Sequence, residues 1–280
     1  MLREMSVVVT GASGFLGKRV VEALRIRSVN VYPVARTLEA GIFHVENYDQ
    51  APLADVLIHL AEDPNRARVN AAGTEYEKEV LRTLAVLLNK GYKTVVYASS
   101  ALLYGDRCVA RHGVNDPVEV VDTYTNVKRQ AELAVLRHER GVVVRLANLY
   151  GPGMSGTNVV SKILGQLDSA SPMQVWDDSP IRDVLWVEDA AAGIVNIALH
   201  AEKSGIFNLG SGEGTSIAAL AQLAMKLSGQ ESRTLEVTNP GNGSSVLVLD
   251  IDQTTRIWGW QPRVTLHEGL SKLIENGSHV

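Results

Sequence analysis

A single cysteine, Cys108, stands in a chain of 280 residues, which excludes an internal disulfide and a cysteine-built metal cluster. The seven histidines show no paired ligand spacing, so no metal site is expected. No long basic run occurs and the net charge is -4, so nothing marks a nucleic-acid partner or an anionic membrane surface. No apolar stretch reaches the roughly 18 residues of a membrane helix, and the first residues run into a strand without an apolar leader. A soluble, cytoplasmic location is the expectation. Internal repeats and low-complexity segments are also missing. What is present is 45% hydrophobic content, at a length that suits one large α/β domain or one with a smaller annex.

The stretch Thr10-Gly-Ala-Ser-Gly-Phe-Leu-Gly17 follows the apolar run at 5–9 and leads into residues 15–27, whose apolar positions recur at helical spacing. This is strand, glycine turn, helix. A dinucleotide pyrophosphate needs backbone N–H groups aimed at it and no side chains where the phosphates sit. Gly11 then allows the turn, Gly14 the close approach, and Gly17 the packing of helix on strand. The second strand, 29–35, ends in Ala35-Arg36-Thr37. A carboxylate at that point binds a ribose 2′-hydroxyl, whereas an arginine accommodates a 2′-phosphate. Arg36 can pair with a phosphate bidentately, so NADP(H) is favoured over NAD(H), and Arg36 is read as more than a solvated loop charge.

Further strands are expected at 41–45, 55–61, 94–98 and 142–147, with a helix at 75–88 that serves the core or a subunit interface. The strand at 94–98 ends in Ser99-Ser100-Ala-Leu-Leu-Tyr-Gly105, polar residues at the carboxyl end of a parallel strand, where a cofactor crevice lies. A helix beginning near Tyr124, capped by Asp122 or Thr123, places Tyr124 and Lys128 one turn apart on one face. A phenol is a weak acid, but a neighbouring ammonium and a nicotinamide cation favour its phenolate and make it a usable proton donor or acceptor. Beyond residue 153 the alternation breaks down, and 182–189 suggests a crossing between two lobes. Helices are expected at 158–167, 189–200, 216–228 and 266–275, with strands at 173–176 and 205–209.

Five separated segments together resemble the extended short-chain dehydrogenase/reductases, in particular the nucleotide-sugar epimerase, dehydratase and ketoreductase group. Thr10 to Gly17 is similar to that family's T-G-x-x-G-x-x-G, residues 99–105 to its S-[ST]-x-x-x-Y-G, and Tyr124 to Lys128 to its Y-x-x-x-K. Residues 145–152 resemble R-x-x-N-x-Y-G-P, and 182–190 resemble R-D-F-V-x-V-x-D. The resemblance implies an α/β fold, a Rossmann-type doubly wound parallel sheet with a smaller α/β substrate-binding lobe. It places the dinucleotide-binding domain at 1–150, with 183–210 returning to it, and the smaller lobe at 151–182 and 211–280.

By the same resemblance Ser100 holds the reacting oxygen, Tyr124 passes the proton, and Lys128 holds the nicotinamide ribose. Gly11, Ser13, Gly14, Phe15, Leu16, Gly17, Leu60 and Ala61 line the cofactor's path. Asn148 and Arg182 match positions that contact a substrate diphosphate, and Ala101 lies beside Ser100 on the substrate side. Trp176 stands where the family packs the substrate base, or else belongs to the core. Two departures matter. The Asp-Glu pair of the 4,6-dehydratases is replaced by Ala101-Leu102, which argues against water elimination. The Arg-x-Gly-Asp near the carboxyl end is replaced by Asn239-Pro-Gly-Asn242, which opens an unusual diphosphate grip or a substrate without one.

The expected function is NADP(H)-dependent reduction of a nucleotide-linked 4-keto sugar by a homodimer built on helices 75–88 and 124–138. The alternatives are an NAD-dependent nucleotide-sugar 4-epimerase and a non-catalytic NADP(H) sensor. Cys108 and His112 are read as a loop cysteine and a solvated histidine rather than an epimerising pair. His59 is read as a core histidine, and Trp258 and Trp260 as packing for the last helix.

Overall fold

The computed structural model describes residues 5–105, 111–241 and 245–277. The first half runs β1 (Ser6–Thr10), α1 (Phe15–Ile26), β2 (Asn30–Ala35), β3 (Phe43–His44), β4 (Val56–His59), α2 (Arg66–Leu88), β5 (Thr94–Ser100), α3 (Thr123–Val135) and β6 (Gly141–Leu146). Then come β7 (Asn148–Tyr150), α4 (Val159–Leu164), β8 (Met173–Val175), β9 (Ile181–Arg182), β10 (Val184–Trp186), α5 (Val187–His200) and β11 (Gly205–Leu209). The chain closes with β12 (Thr215–Ser216), α6 (Ile217–Leu227), β13 (Leu235–Val237), β14 (Val246–Leu247), α7 (Asp252–Trp258) and α8 (Leu266–Glu275).

Seven strands form one parallel sheet in the order β11-β6-β5-β4-β1-β2-β3. Their side chains alternate between two apolar layers, as a strand buried on both faces requires. Val7, Val9, Ile58, Val96 and Val142 meet α1 and α5 on one face. Val8, Leu57, Val95 and Val143 meet α2 and α3 on the other. This is a Rossmann-type doubly wound sheet. Its order reverses between β1 and β4, and crevices form at such a switch point.

A second apolar cluster joins α4, β8, α6 and α8 through Leu164, Met173, Leu220 and Leu273. The three residues of β10 connect the two cores: Leu185 faces the sheet, while Val184 and Trp186 face the second cluster. The strand period of two therefore fastens one lobe to the other.

Several expectations need correction. The helix expected at 75–88 begins at Arg66, where Asn65 accepts a hydrogen bond from the Arg68 amide at 3.0 Å, and it breaks at Gly73 with φ 60° and ψ -140°. Trp258 and Trp260 do not pack the last helix. Trp258 stands edge-on to Phe207 of β11, and Trp260 donates from Nε1 to the Asp189 carbonyl of α5 at 3.0 Å. Among the described residues no helix is long and apolar enough to cross a membrane.

One buried charge pair anchors α3 to the sheet. Arg145 of β6 donates to Glu132 from Nε at 2.9 Å and from Nη2 at 2.8 Å, and Ser99 adds a hydroxyl at 2.7 Å. Glu132 also has Arg129 Nη1 at 3.3 Å, but removing Glu132 takes from the buried Arg145 the carboxylate that holds it. Glu132→Ala is expected to destabilise the fold by about 3–5 kcal/mol, read as a fall in the urea midpoint with an unchanged denaturant slope.

Candidate active site

Gly11 leaves β1 with φ 74°, and a Cβ there would stand 2.8 Å from the Leu60 carbonyl carbon and oxygen. Ala61 backs the same turn, its Cα 3.0 Å from that position. A Cβ on Gly17 would collide with the Gly11 carbonyl oxygen, so glycine lets α1 start directly on the strand end. Gly14 caps α1 without a side chain, and the first turn of α1 carries no acidic residue. Unshielded N–H groups and the positive end of the helix therefore face the crevice, a site fitted to a pyrophosphate.

The crevice is a cavity of about 460 Å³. Gly11, Gly14, Phe15, Leu16, Gly17 and Leu60 line it, whereas Ser13 is turned toward Thr37, whose hydroxyl donates to the Ser13 Oγ at 2.8 Å. Arg36 sits outside the lining at the end of β2, 56% exposed in its side chain. Its Nη1 lies 3.6 Å from Glu79 Oε1, and its guanidinium covers the Tyr48 ring at 5.5 Å.

Ser100, Tyr124 and Lys128 all line the same cavity. Ser100 ends β5, and its Oγ accepts from the Leu102 amide at 3.2 Å, leaving the hydroxyl hydrogen to donate. Tyr124 sits in the first turn of α3, which Asp122 caps by accepting from the Thr125 amide at 2.9 Å. Burial works against the Asp122 charge, but bonds from Thr125, Asn70 and Arg66 outweigh it and hold the carboxyl well below the usual range. Asn70 also accepts from the Tyr124 amide at 3.0 Å, so α2 positions the start of α3.

Lys128 points inward from the next turn. Its Nζ donates to the Ala98 carbonyl and to Glu62 Oε2, each at 2.9 Å, and lies 6.0 Å from the centre of the Tyr124 ring. Burial opposes this charge, yet the Glu62 carboxylate prevails and the lysine is held above its ordinary value. Glu62 belongs to none of the sequence motifs. Its only signal was a carboxylate just past the end of a parallel strand. Asn70 gave none, because its partners are 52 and 54 residues away.

On the substrate side, Ala101 and Asn148 line the cavity, together with Met154, Ser155, Thr157 and Asn158, which carried no motif. Two expected residues lie elsewhere. Trp176 is 72% exposed, so it is not core, and it is not among the described lining residues. Arg182 is also outside the lining and donates to the Ser245 carbonyl at 2.9 Å and the Ser245 Oγ at 2.7 Å. His112 is not solvated: it is 3% exposed and stacks on Tyr104 with ring centres 4.9 Å apart. Cys108 and Asn242 lie outside the described residues.

A parallel sheet with a glycine turn at its switch point, and a serine, tyrosine and lysine facing one crevice, defines an NAD(P)-dependent enzyme of the extended short-chain dehydrogenase/reductase type. The family model for the NAD dependent epimerase/dehydratase family matches residues 7–210, and the chain belongs to that family. It is 24% identical over 303 residues to UDP-glucuronic acid decarboxylase 4 of Arabidopsis thaliana, covering 97% of this chain and 68% of that protein. It is 26% identical over 301 residues to the dTDP-6-deoxy-L-talose 4-dehydrogenase (NAD(P)(+)) of Kitasatospora kifunensis, covering 95% and 94%. The fold is shared with the Thermotoga maritima UDP-glucose 4-epimerase solved with UDP-glucose, at a TM-score of 0.85 and 23% identity over 97% of this chain and 98% of that one.

His59 ends β4 at the crevice floor, as a core histidine bonded to Thr10 Oγ1 at 2.7 Å. Burial pushes its imidazole down to about 4; Glu62 opposes that shift and Lys128 adds to it. Between pH 6.5 and 4 the unfolded chain binds a proton that the native histidine refuses. Stability is therefore full above about pH 6.5 and falls by about 3 kcal/mol as the pH drops to 4. Urea titrations at pH 7 and 4.5 should show this loss in the wild type and a smaller one in His59→Asn.

Proposed function

We propose that this protein reduces a keto group with NADP(H), and that its substrate is a nucleotide-linked 4-keto sugar. The observation that carries the reading is the convergence of Ser100, Tyr124 and Lys128 on the crevice that the glycine turn opens into. Gly11, Gly14, Gly17 and the first turn of α1 would hold the pyrophosphate, and the bound nicotinamide supplies the hydride. Ser100 donates its hydroxyl hydrogen to the carbonyl oxygen and steadies the charge that develops there. Tyr124 gives its proton to the same oxygen. Lys128, fixed and cationic, stabilises the phenolate that is left.

The substrate class draws on relatives named for UDP- and dTDP-linked sugars, one of them a 4-dehydrogenase. Ala101 and Leu102 put apolar side chains where elimination of water needs an acid and a base, so reduction is favoured over dehydration. The lobe formed by 151–182 and 211–280 is taken as the substrate-binding part. A homodimer through α2 and α3 is favoured by their side-by-side packing and by the exposed Val86 and Leu133 they carry. The preference for NADP(H) rests on Arg36. One observation favours the NAD-dependent 4-epimerase instead: Glu79 already faces that guanidinium and offsets part of its charge.

Two variants test the reading. Tyr124→Phe should lower the rate of 4-keto sugar reduction by about 10²- to 10⁴-fold while the NADPH dissociation constant stays the same. Biological activity that the variant leaves unchanged would instead favour a cofactor sensor. Arg36→Ala should weaken NADPH by about ten- to a hundredfold and leave NADH unchanged in calorimetric titration. Tightly retained NAD, indifferent to Arg36, would move the epimerase to first place.

A further inference from the structure

The loop at 151–158 brings Met154, Ser155, Thr157 and Asn158 to the crevice. Pro152 stands near its start between Gly151, with φ 148°, and Gly153, with φ 84°, both in the region that glycine alone enters freely. Glycines on either side of Pro152 give this end of the loop many paths, so the observed one needs support. Inside the loop the Met154 amide donates to the Gly151 carbonyl at 3.2 Å and the Asn158 amide to the Ser155 carbonyl at 2.9 Å. At the far end Asn158 Nδ2 donates to the Leu149 carbonyl of β7 at 2.8 Å.

The near end is held from across the molecule. Arg19 of α1, 133 residues away, donates from Nη2 to the Pro152 carbonyl at 3.3 Å. Its Nε lies 3.3 Å from Glu188 Oε1 at the start of α5, and its Nη1 donates to Glu22 at 3.4 Å. A guanidinium presents its donors as a rigid planar fork, so one side chain can hold two carboxylates and a carbonyl in fixed relation. Apolar contacts run beside it. A Cβ on Gly151 would stand 2.7 Å from Val187 Cγ1, and Phe15 packs against the cluster that contains Met154. Phe15 and Arg19 are one turn apart on the same face of α1. The helix whose first amides face the crevice therefore also carries the support of a loop from the smaller lobe.

We propose that Arg19 is a positioning residue for the substrate: by holding the Pro152 carbonyl it sets loop 151–158, and with it Ser155, Thr157 and Asn158, at a fixed place relative to the glycine turn. The inference rests on the reading of the crevice as a site for a nucleotide-linked sugar beside a dinucleotide. Arg19 is outside the described lining, so it acts through the loop and leaves the cofactor's own contacts untouched.

The probes are NADPH for the cofactor, and UDP-glucose and dTDP-glucose, nucleotide sugars without a keto group, for the substrate side. In calorimetric titration Arg19→Ala should bind whichever nucleotide sugar the wild type prefers about three- to tenfold more weakly, with NADPH unchanged. Hydrogen exchange should speed up at the Met154 and Asn158 amides and stay the same at 11–17. Because this variant leaves Glu188 without its cation, the double variant Arg19→Ala, Glu188→Ala removes both charges; it should show the same selective loss, and it decides the matter if the single variant does not fold. Unchanged nucleotide-sugar binding or unchanged exchange in the loop overturns the proposal, as does an equal loss for NADPH, which marks a structural role alone. A wild-type protein that binds neither nucleotide sugar overturns the substrate reading itself, an outcome separate from any effect of the variants.

Discussion

The buried pair between Glu132 and Arg145 determines where α3 lies, and the position of α3 determines the site. Tyr124, Lys128 and Glu132 stand at successive intervals of four on that helix, one face of just over two turns. Glu132 bonds to the sheet through Arg145 and Ser99. Lys128, a turn nearer the crevice, bonds to the sheet through Ala98 and to the end of β4 through Glu62. Tyr124, a further turn on, is left to face the cavity. Tyr124 is thus placed by two charged anchors further along α3 and by the bond of its amide to Asn70. The same alternation works on β5, where Ser99 bonds to Glu132 and Ser100 lines the crevice.

The opposite wall is set by sterics instead of charge. Gly17 lets α1 rest on the Gly11 carbonyl, and Gly11 lets the turn pass against the Leu60 backbone. A side chain at either place would push helix and strand apart and rotate the N–H groups of α1 away from the cavity. The two sides of the crevice are therefore carried by two helices held by unlike forces, with the carboxyl ends of β1, β4 and β5 between them.

Features that depend on local pattern could be read from the amino acids alone. Apolar runs at 5–9, 55–61, 94–98 and 142–147 mark the central strands, and the spacing of Tyr124 and Lys128 marks one face of a helix. Features that depend on a distant partner could not. Glu62 is one polar residue after a strand, and nothing near it in the chain reveals Lys128, 66 positions later. Arg182 belongs to a motif, yet its guanidinium is taken up by Ser245, on a segment that pattern reading left unassigned. Gly73 is read from sequence as part of a lead-in, because a left-handed residue inside a long helix leaves the apolar periodicity on both sides intact. Trp258 ends a short helix, α7, and Trp260 lies just past it; the few residues of that helix carry no clear periodicity, so nothing local points to their partners on β11 and α5.

The charge of the crevice bears on how it holds a substrate. The cations among its described lining residues are Arg68 and Lys128. Arg68 is paired with Asp63 at 2.8 Å and Lys128 with Glu62 at 2.9 Å. Asp183, also in the lining, is buried and bonded by the Ser211 amide and hydroxyl and by the Gly212 and Leu249 amides; burial raises its carboxyl above the ordinary value even so. From the smaller lobe the described lining adds the neutral groups Ser155, Thr157 and Asn158. With Arg182 outside that lining and both lining cations paired, the crevice presents hydrogen-bonding groups rather than unpaired positive charge. Such contacts are directional and weakly screened by salt. They select a ligand by the placement of its donors and acceptors more than by its net charge.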